Sequence, residues 1–437
     1  MKNSTIIFIA KLGGWFIKTF RLGSGSTWPG HIALKLNPNF IHDVLGENKD
    51  LKVILVAGTN GKTTTSKLIR FILERNNVKV FQNEEGANLL NGIASSLARH
   101  SNPTNSRGWV KRQVAIFEVD ENTLPQIFEQ VTPAGIVLLN LFRDQLDRYG
   151  EVNIIADKWH TALKKLPESV SVFLNGDDPQ VYFLGTGLKA KVYKFGLDSI
   201  FFKTKEIPHD VDSTYCPSCG QELTYHGLSY SHLGDFYCKN CGFKRENVET
   251  FKNRDIRYSL LGTYNIYNTY AALLTVEKLF NISIDGINLD EFQPAFGRQE
   301  KLEYNGRTVY ILLSKNPAGF NQSLIVTRQI LHDGNGNVLT VLNDRTPDGT
   351  DVSWIWDVDF EVLNNIVKRI FVSGDRVWDM AVRMKYAGMK DIHADEKLET
   401  AVLKIVDETP VEGTVVILCT YSAMLEVRKI LKGQKLL

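Results

Sequence analysis

The sequence is poor in cysteine, in net charge and in long hydrophobic runs, and each shortage excludes a class of protein. Five cysteines in 437 residues are too few for a disulfide framework, so a reducing cytoplasm is expected. The formal net charge of +2, without a dense basic stripe, argues against a nucleic-acid-binding surface. The only stretch that resembles a targeting segment, residues 6–20, is interrupted by Lys11 and Lys18 and is too short to span a bilayer. An amphipathic helix is the simpler interpretation of that stretch, and a helix resting on a membrane surface is the alternative.

The composition is otherwise that of a globular protein, with 43% hydrophobic and 23% charged residues. A chain of 437 residues is long enough for two or three domains, each with its own core. We expect residues 1–50 to form a helical lead that is too short to be a domain. Residues 51–300 and 301–437 are predicted to be two α/β domains, because strand and helix patterns alternate in both.

A glycine loop between a strand and a helix is the most informative motif. It consists of Gly58, Thr59, Asn60, Gly61, Lys62, Thr63 and Thr64. The two glycines allow backbone N–H groups to surround a phosphate, Lys62 can reach the terminal phosphates, and Thr63 is placed to bind Mg²⁺. The full Walker pattern has a glycine where Val56 stands, so this is a shortened variant. An ordinary glycine turn is the alternative, but the strand, the Lys-Thr pair and the helix together predict a nucleoside triphosphate site.

Alternating signals predict an open parallel sheet with helices on both faces and ligands at the carboxyl ends of the strands. In the first domain the predicted strands cover 53–57, 78–82, 113–118, 135–139 and 170–174, and the helices 64–76, 89–100, 124–130 and 155–165. In the second, Rossmann-like domain the strands cover 308–313, 338–342, 367–373 and 414–418, and the helices 323–331, 360–365, 376–386 and 396–407.

Two Cys-x-x-Cys pairs, each followed by glycine, interrupt the first domain. They are formed by Cys216, Cys219, Cys238 and Cys241. Two such knuckles around a short hairpin-like stretch predict a tetrahedral structural zinc site in a ribbon inserted at about residues 205–255. A redox pair and disulfides are alternatives that fit the spacing and the compartment less well. With no open ligand position evident, zinc is expected to hold the ribbon together and not to catalyse.

Three polar residues near the end of the first domain are candidates for nucleotide contacts. Asn265 and Asn268 lie three residues apart at the start of a predicted helix, where they can contact an adenine edge or a phosphate. A helix cap is the alternative role. Arg298 lies at the predicted exit from this domain, where it can contact a phosphate or pair with Glu300.

These motifs resemble those of the Mur ligase superfamily, the ATP-dependent amide-forming enzymes of cell-wall synthesis. The glycine loop is similar to that family's Gly-Thr-Asn-Gly-Lys-Thr, and Asn265, Asn268 and Arg298 are similar to its nucleotide-contacting positions. Glu118, at the end of a predicted strand, matches the family's Mg²⁺-binding glutamate. The resemblance implies a central ATP- and Mg²⁺-binding domain in which Lys62 and Glu118 are catalytic, followed by a C-terminal α/β domain.

Two further similarities are weaker. Asn140, Asp144, Gln145 and Asp147 resemble the family's Asn…Asp-His-x-Asp stretch, but glutamine replaces the histidine, which weakens the carry-over of a metal role to Gln145. Lys158 resembles the carbamylated lysine of several Mur ligases, and an ordinary exposed lysine is an equal alternative.

Two departures narrow the resemblance to one branch of the family. The N-terminal domain with which Mur ligases hold a UDP-sugar is expected to be absent, and the four-cysteine ribbon is added. Together with the segments 142–150, 315–319 and 348–354, these features are similar to the ligase subunits of lipid II isoglutaminyl synthases. That resemblance implies amidation of the α-carboxylate of D-Glu in the lipid II stem peptide to D-isoglutamine. The reaction would consume ATP, form an acyl phosphate and take place at the cytoplasmic face of the membrane.

The same resemblance implies a heterodimer with a separate glutaminase subunit that supplies ammonia. The sequence agrees, because the paired cysteines are assigned to zinc and Cys419 has no nearby histidine. Asp351 resembles a position connected with the glutaminase site or with ammonia handling, where a carboxylate can orient a partner's histidine as a catalytic residue. From the sequence alone, a turn or N-cap role for Asp351 is simpler, and Asp348 is the alternative carboxylate.

Two other functions remain as alternatives. A Mur-type ligase that adds an amino acid, as folylpolyglutamate synthase does, would use ATP without a glutaminase. A phosphate-loop protein whose zinc ribbon binds nucleic acid is the second alternative, and the near-neutral charge argues against it.

Overall fold

The structure is a computed structural model, and it describes residues 2–20, 27–84, 86–101, 113–143, 152–202, 204, 211–294, 298–332 and 334–432. Within these residues there are two six-stranded sheets and one two-stranded sheet. The predicted α/β class, with a parallel sheet, a cysteine-rich insert and a second α/β unit, is confirmed.

The first sheet is entirely parallel, in the order β2-β3-β1-β4-β5-β6. Its strands are β1 (Lys52–Ala57), β2 (Lys79–Gln82), β3 (Gln113–Glu118), β4 (Gly135–Leu138), β5 (Ser171–Asn175) and β6 (Lys191–Phe195). The associated helices are α1 (Asn3–Thr19), α2 (Trp28–Leu36), α3 (Phe40–Gly46), α4 (Lys62–Arg75), α5 (Leu90–His100), α6 (Leu124–Ile127), α7 (Val152–Leu163), α8 (Pro179–Phe183) and α9 (Thr263–Phe280).

Strand β1 shows why this sheet is covered on both faces. Leu55 and Ala57 pack in one core with α1, α3 and α5, whereas Ile54 and Val56 pack in another with α4 and α9. A strand buried on both faces needs apolar residues at every position, which explains its continuous apolar run. Helix α9 crosses the second face and is buried around most of its circumference. Because all strands of this sheet are parallel, their carboxyl ends lie at one edge of the sheet.

A hairpin and a second sheet complete the fold. The hairpin consists of β7 (Thr224–Tyr230) and β8 (Leu233–Tyr237), and the order of the second sheet is β13-β12-β11-β14-β10-β9. Its strands are β9 (Arg298–Tyr304), β10 (Arg307–Leu313), β11 (Gly336–Val341), β12 (Arg369–Ser373), β13 (Asp391–Ala394) and β14 (Thr414–Cys419). Its helices are α10 (Pro317–Ile330), α11 (Val377–Tyr386), α12 (Leu398–Glu408) and α13 (Tyr421–Lys432), with 3₁₀ helices at Ser353–Asp357 and Phe360–Asn365. Only β9 is antiparallel to its neighbour among the described strands of this sheet.

Several predicted elements differ from those observed. The helix predicted at 124–130 ends at Ile127, and the helix predicted at 360–365 is a 3₁₀ helix. Arg298 begins strand β9, in which it pairs with Leu312 of the second sheet. Strands β6, β9 and β13 and helices α8 and α13 were not predicted.

Candidate functional site

The glycine loop lies between the end of β1 and the start of α4, at the carboxyl edge of the first sheet. Gly58 has a φ of +141°, and a Cβ there would lie 3.1 Å from the backbone of Asn140. Gly61 has a φ of +92°, and its Cβ would lie 2.1 Å from Oδ1 of Asn268. Both positions therefore require glycine, because any side chain would be strained and would clash.

Lys62 and Thr63 begin α4 and meet two buried carboxylates, one at the end of β3 and one on the loop that follows it. The Lys62 Nζ lies 3.1 Å from Oε1 of Glu121 and donates to the carbonyl oxygen of Thr59 at 3.3 Å. The Thr63 hydroxyl donates to Oε2 of Glu118 at 2.8 Å. Strand pairing explains this meeting, because Glu118 is opposite Val56 in the parallel ladder.

This arrangement fits a nucleotide with its metal ion. A lysine ammonium at a helix N-terminus can neutralise phosphate charge, and the positive end of α4 adds to it. The hydroxyl of Thr63 and the carboxylate of Glu118 are hard oxygen ligands of the kind that Mg²⁺ prefers. Glu121 was missed in the sequence analysis, although an acidic residue shortly after the end of a buried strand is a usable signal.

A cavity that is partly open to solvent adjoins the loop, between the first domain and the second sheet. Its lining includes Asn60, Gly61, Thr64, Asn140, Tyr230, Tyr264, Asn268, Arg298, Gln299, Leu312, Leu313, Ala318, Gly319, Gln322 and Ser323. Two of the three predicted nucleotide contacts, Asn268 and Arg298, line it directly.

Asn265, the third predicted contact, acts on the cavity through Asn268. Its Oδ1 accepts from Nδ2 of Asn268 at 3.2 Å, and its own Nδ2 donates to the carbonyl oxygen of Leu261 at 2.8 Å. Asn265 therefore holds the orientation of Asn268. Glu300, the other partner considered for Arg298, pairs with Arg428 and Lys432.

The second sheet contacts the phosphate loop through Asn316. The amides of Asn60 and Asn316 exchange hydrogen bonds of 3.4 and 3.2 Å. Asn316 also caps α10, because its Oδ1 accepts from the backbone N–H of Gly319 at 2.8 Å. The loop at 315–319, one of the segments that carry the family resemblance, thus closes one side of the cavity.

Asp348 and Asp351 lie in different environments. Asp348 is buried, and its Oδ1 accepts from the backbone N–H of Ser422 at 2.8 Å. Asp351 is exposed, and its Oδ1 accepts from the backbone N–H of Ser353 at 2.8 Å. That hydrogen bond lowers the pKa of Asp351, so its carboxylate is ionised at neutral pH. Neither residue lines the cavity beside the phosphate loop.

The stretch after β4 that resembles the Mur ligase Asn…Asp-His-x-Asp motif lies only partly within the residues that the structure describes. Asn140 is at the phosphate loop, where its Oδ1 accepts from the backbone N–H of Asn60 at 2.8 Å. Asp144, Gln145 and Asp147 lie outside the described residues. Lys158 is exposed on α7, which favours the ordinary surface lysine.

The four paired cysteines form a cluster that can hold a metal ion. Their sulfur atoms all lie within 4.8 Å of one another. The Sγ atoms of Cys216 and Cys241 are 3.6 Å apart, and those of Cys219 and Cys238 are 3.5 Å apart. A disulfide needs about 2 Å, whereas zinc–sulfur bonds of about 2.3 Å in a tetrahedron separate the sulfurs by about 3.8 Å. The donor set and spacing therefore fit zinc.

The hairpin of the ribbon reaches the cavity. Tyr230, at the end of β7, lines the cavity and stacks on Phe142 with ring centroids 5.9 Å apart. Buried Asp177 anchors the ribbon, because it accepts from Nε of Arg245 at 2.6 Å and from the hydroxyl of Tyr267 at 2.7 Å. Burial raises the pKa of Asp177, and these donors oppose that rise. The ribbon thus contributes to the wall of the site, a role that the sequence did not indicate.

Two protein families match separate parts of the chain. Residues 56–276 match the Mur ligase middle domain, and residues 313–424 match the MurT ligase C-terminal domain. The chain is 31% identical over 457 residues to "Lipid II isoglutaminyl synthase (glutamine-hydrolyzing) subunit MurT" of Streptococcus pneumoniae, covering 99% of this chain and 98% of that protein. It is 32% identical over 410 residues to the protein of the same name from Staphylococcus aureus strain COL, covering 89% and 88%.

Solved structures share the fold at lower identity. A pseudomurein peptide ligase type C from Methanothermus fervidus superposes with a TM-score of 0.64 at 20% identity, covering 90% of this chain and 81% of that one. The MurF ligase from Thermotoga maritima in complex with ADP gives a TM-score of 0.62 at 16% identity, covering 92% and 83%. From its matches in sequence and in fold, the chain belongs to the MurT family of the Mur ligases, the ligases of peptidoglycan synthesis.

Proposed function

We propose that this protein amidates the α-carboxylate of D-Glu in the lipid II stem peptide, giving D-isoglutamine. The reaction consumes ATP, forms an acyl phosphate, and uses ammonia from a separate, GatD-like glutaminase subunit in a heterodimer. The observation that carries the proposal is the placement of Lys62 and of the Thr63–Glu118 pair beside a cavity lined by the phosphate loop, the hairpin and the second sheet. The family match supports the substrate and the nitrogen source, because the relatives are named glutamine-hydrolysing lipid II isoglutaminyl synthase subunits.

The chemistry requires activation because a carboxylate does not react with ammonia. A substrate carboxylate oxygen attacks the γ-phosphorus of ATP, the bond to the β-phosphate oxygen breaks, and ADP leaves. Ammonia then attacks the acyl carbon, inorganic phosphate leaves, and the attacking nitrogen loses a proton. Lys62 and the loop amides stabilise the charge on the transferred phosphoryl group, and Thr63 and Glu118 would hold Mg²⁺. Bound Mg²⁺ supplies Lewis-acid neutralisation of the phosphate oxygens.

Contacts between the two halves of the site support protection of the intermediate from water. The Asn60–Asn316 hydrogen bonds join the phosphate loop to α10. Arg143, shortly after β4, lies 3.2 Å from Asp357 near the second sheet. An acyl phosphate hydrolyses in water, so a site closed by both sheets preserves it until ammonia arrives.

The cysteines of the chain do not provide a glutaminase nucleophile. Four of them form the ribbon cluster. Cys419 is buried, and burial raises its pKa, so the thiolate that a glutaminase needs is disfavoured. These properties of the cysteines support another polypeptide as the source of the ammonia.

An exposed apolar surface next to Asp351 supports a protein partner there. Trp378, Val382 and Tyr386 lie at i, i+4 and i+8 on α11, and Trp356 packs edge-on against Tyr386 with ring centroids 5.5 Å apart. Single exposed apolar residues are common, but two tryptophans in one patch are typical of interfaces. The 3₁₀ helix that carries Trp356 begins two residues after Asp351. We assign this surface to the glutaminase subunit.

The substitution Asp351→Asn tests the proposed role of that carboxylate. Asparagine still accepts from the backbone N–H of Ser353, so the turn is preserved. We expect glutamine-driven amidation to fall about 10²- to 10⁴-fold, as when the carboxylate of a triad becomes an amide, while ammonium-driven amidation and ATP affinity stay near wild type. Unchanged glutamine-driven turnover would remove Asp351 from the mechanism.

Product analysis with different nitrogen donors tests the proposed function. With lipid II and ATP, ammonium should give one amidated product, whereas free amino acids should give none. ATP-dependent attachment of an amino acid would instead establish the amino-acid-adding ligase. Copurification with a glutaminase subunit, followed by glutamine-dependent ADP formation on lipid II, would establish the heterodimer.

A further inference from the structure

We infer that the outer face of α1 docks on the surface of an anionic lipid bilayer. This face consists of Phe8, Leu12, Trp15 and Phe16, which recur at helical spacing and are all exposed. The opposite face of α1 is also apolar, but it is buried against the protein through Ile6, Ile7 and Ala10. The outer face is therefore not needed for the core.

The charge composition of the N-terminal segment indicates the occupant. Residues 1–36 contain no Asp or Glu, but they contain five basic residues, Lys2, Lys11, Lys18, Arg21 and Lys35. One of these, Lys11, is directed toward the protein, where its Nζ donates to the carbonyl oxygen of Ser101 at 2.6 Å. Aromatic and aliphatic residues combined with basic charge alone are typical of helices that lie in the interface of an anionic membrane. The apolar surface on α11 differs, because the Nε1 of Trp378 donates to Glu396 at 3.0 Å and Asp379 pairs with Arg376. Mixed charge suits a protein partner, whereas acid-free basic charge suits lipid headgroups.

Helix α1 cannot serve as a membrane anchor that crosses the bilayer. It has 17 residues, and no helix in the described parts of the chain is long and apolar enough to span a membrane. A helix lying flat in the headgroup region needs only one apolar face, and the outer face of α1 supplies it.

The contacts that α1 makes with α2, and α2 with α5, show where α1 lies relative to the site. A Cβ on Gly14, next to Trp15, would lie 2.7 Å from Pro29 of α2. The backbone N–H of Gly30 donates to Oγ of Ser95 in α5 at 2.7 Å. Helix α5 follows β2 in a parallel sheet, so its first turns lie near the carboxyl ends of the strands. The C-terminal half of α1 is thus placed toward the site.

This docking deepens the proposed function, because a lipid-linked substrate remains at the bilayer surface. An enzyme held there by α1 would meet its substrate by diffusion in two dimensions. The interaction with lipid itself, however, does not depend on which reaction the site performs.

Vesicle flotation with the full-length protein tests the inference. The probes are vesicles of phosphatidylglycerol mixed with phosphatidylcholine, and vesicles of phosphatidylcholine alone. We expect binding to the anionic vesicles to be at least about tenfold stronger and to weaken as salt is raised. The variant Trp15→Ser/Phe16→Ser should lower binding to the anionic vesicles at least about tenfold, because apolar area inserted into the headgroup region is lost.

The matched control is Trp378→Ser, because Trp378 is 60% exposed and Trp15 is 62% exposed. The control should float with anionic vesicles as the wild type does.

If the double variant does not fold, Phe8→Ser on the same face replaces it. Failure of the wild type to float, or equal flotation of wild type and variant, overturns the inference. Loss of self-association or of glutaminase binding in the variant, without vesicle binding by the wild type, would assign the face to a protein partner instead.

A second readout separates this inference from the proposed function. Ammonium-driven ADP formation on a short-chain, water-soluble lipid II analogue should be equal in the wild type and in Trp15→Ser/Phe16→Ser. If the wild type and the double variant were both inactive on that analogue but only the wild type floated, the proposed reaction would be wrong. The inference that α1 docks on a membrane would still hold.

Discussion

The substitution Lys62→Ala is expected to lower ATP turnover by about 10²- to 10³-fold or more. The ammonium of Lys62 lies at the N-terminus of α4, where the phosphates of ATP are proposed to bind. Its charge would be needed most as the phosphoryl group is transferred, so the loss should appear in kcat as well as in nucleotide affinity. Steady-state ADP formation with ammonium as the nitrogen donor measures the effect. Lys164→Ala, at an exposed position just after α7, is the control and should keep full turnover.

Stability must be separated from catalysis in this experiment, because Lys62 also pairs with Glu121. The side chains of Lys62 and Glu121 are only 12% and 6% exposed, so removing the ammonium leaves a buried carboxylate without its ion-pair partner. Such a loss costs about 3–5 kcal/mol. The double variant Lys62→Ala/Glu121→Gln has no such charge and should recover the melting temperature while turnover stays lost. If turnover returned with stability, Lys62 would act only as a structural residue.

Loss of the proposed zinc ion is expected to be the largest structural perturbation. The purified protein should contain one zinc per chain, and Cys238→Ser should abolish zinc binding and expose residues 211–250 to proteases. Structural zinc binds with an apparent free energy of about 10–16 kcal/mol, far more than the 0.5–3 kcal/mol of a typical point substitution. Turnover should fall too, because Tyr230 of the ribbon lines the cavity.

Cys419→Ser is the matched control for the zinc prediction. Cys419 is also buried, but it lies at the end of β14 and not in the cysteine cluster. The Cys419→Ser variant should retain one zinc per chain and resist proteolysis between residues 211 and 250. A wild-type protein without bound metal, or a Cys238→Ser variant with unchanged zinc content, would contradict the assignment.

The central strands of both sheets could be predicted from the sequence, whereas most edge strands could not. Strand β1 is apolar at every position after Lys52 because helices cover both its faces. Strands β6, β9 and β13 lie at sheet edges, and residues such as Lys191, Lys301 and Asp391 give them a polar character. An apolar run is the signal of a buried strand, so partly solvated strands lack it.

Some residues of the site could be predicted from the sequence and others could not. The glycine loop has a local sequence signature, and Glu118 lies at the end of a strand whose apolar run predicts it. Glu121, Tyr230 and Asn316 approach the loop only through tertiary packing, since Asn316 is 256 residues from Asn60. Local sequence contains no record of such distant pairings. The boundaries predicted for the domains at 50 and 300 stay predictions.

The nitrogen-donor dependence of the isolated chain tests the central claim most directly. The purified chain, without any glutaminase, would be given lipid II and ATP with either ammonium or glutamine. The account predicts amidated lipid II with ammonium, no product and no glutamate release with glutamine, and recovery of glutamine use when the glutaminase subunit is added. Rapid release of glutamate from glutamine by the chain alone would contradict it.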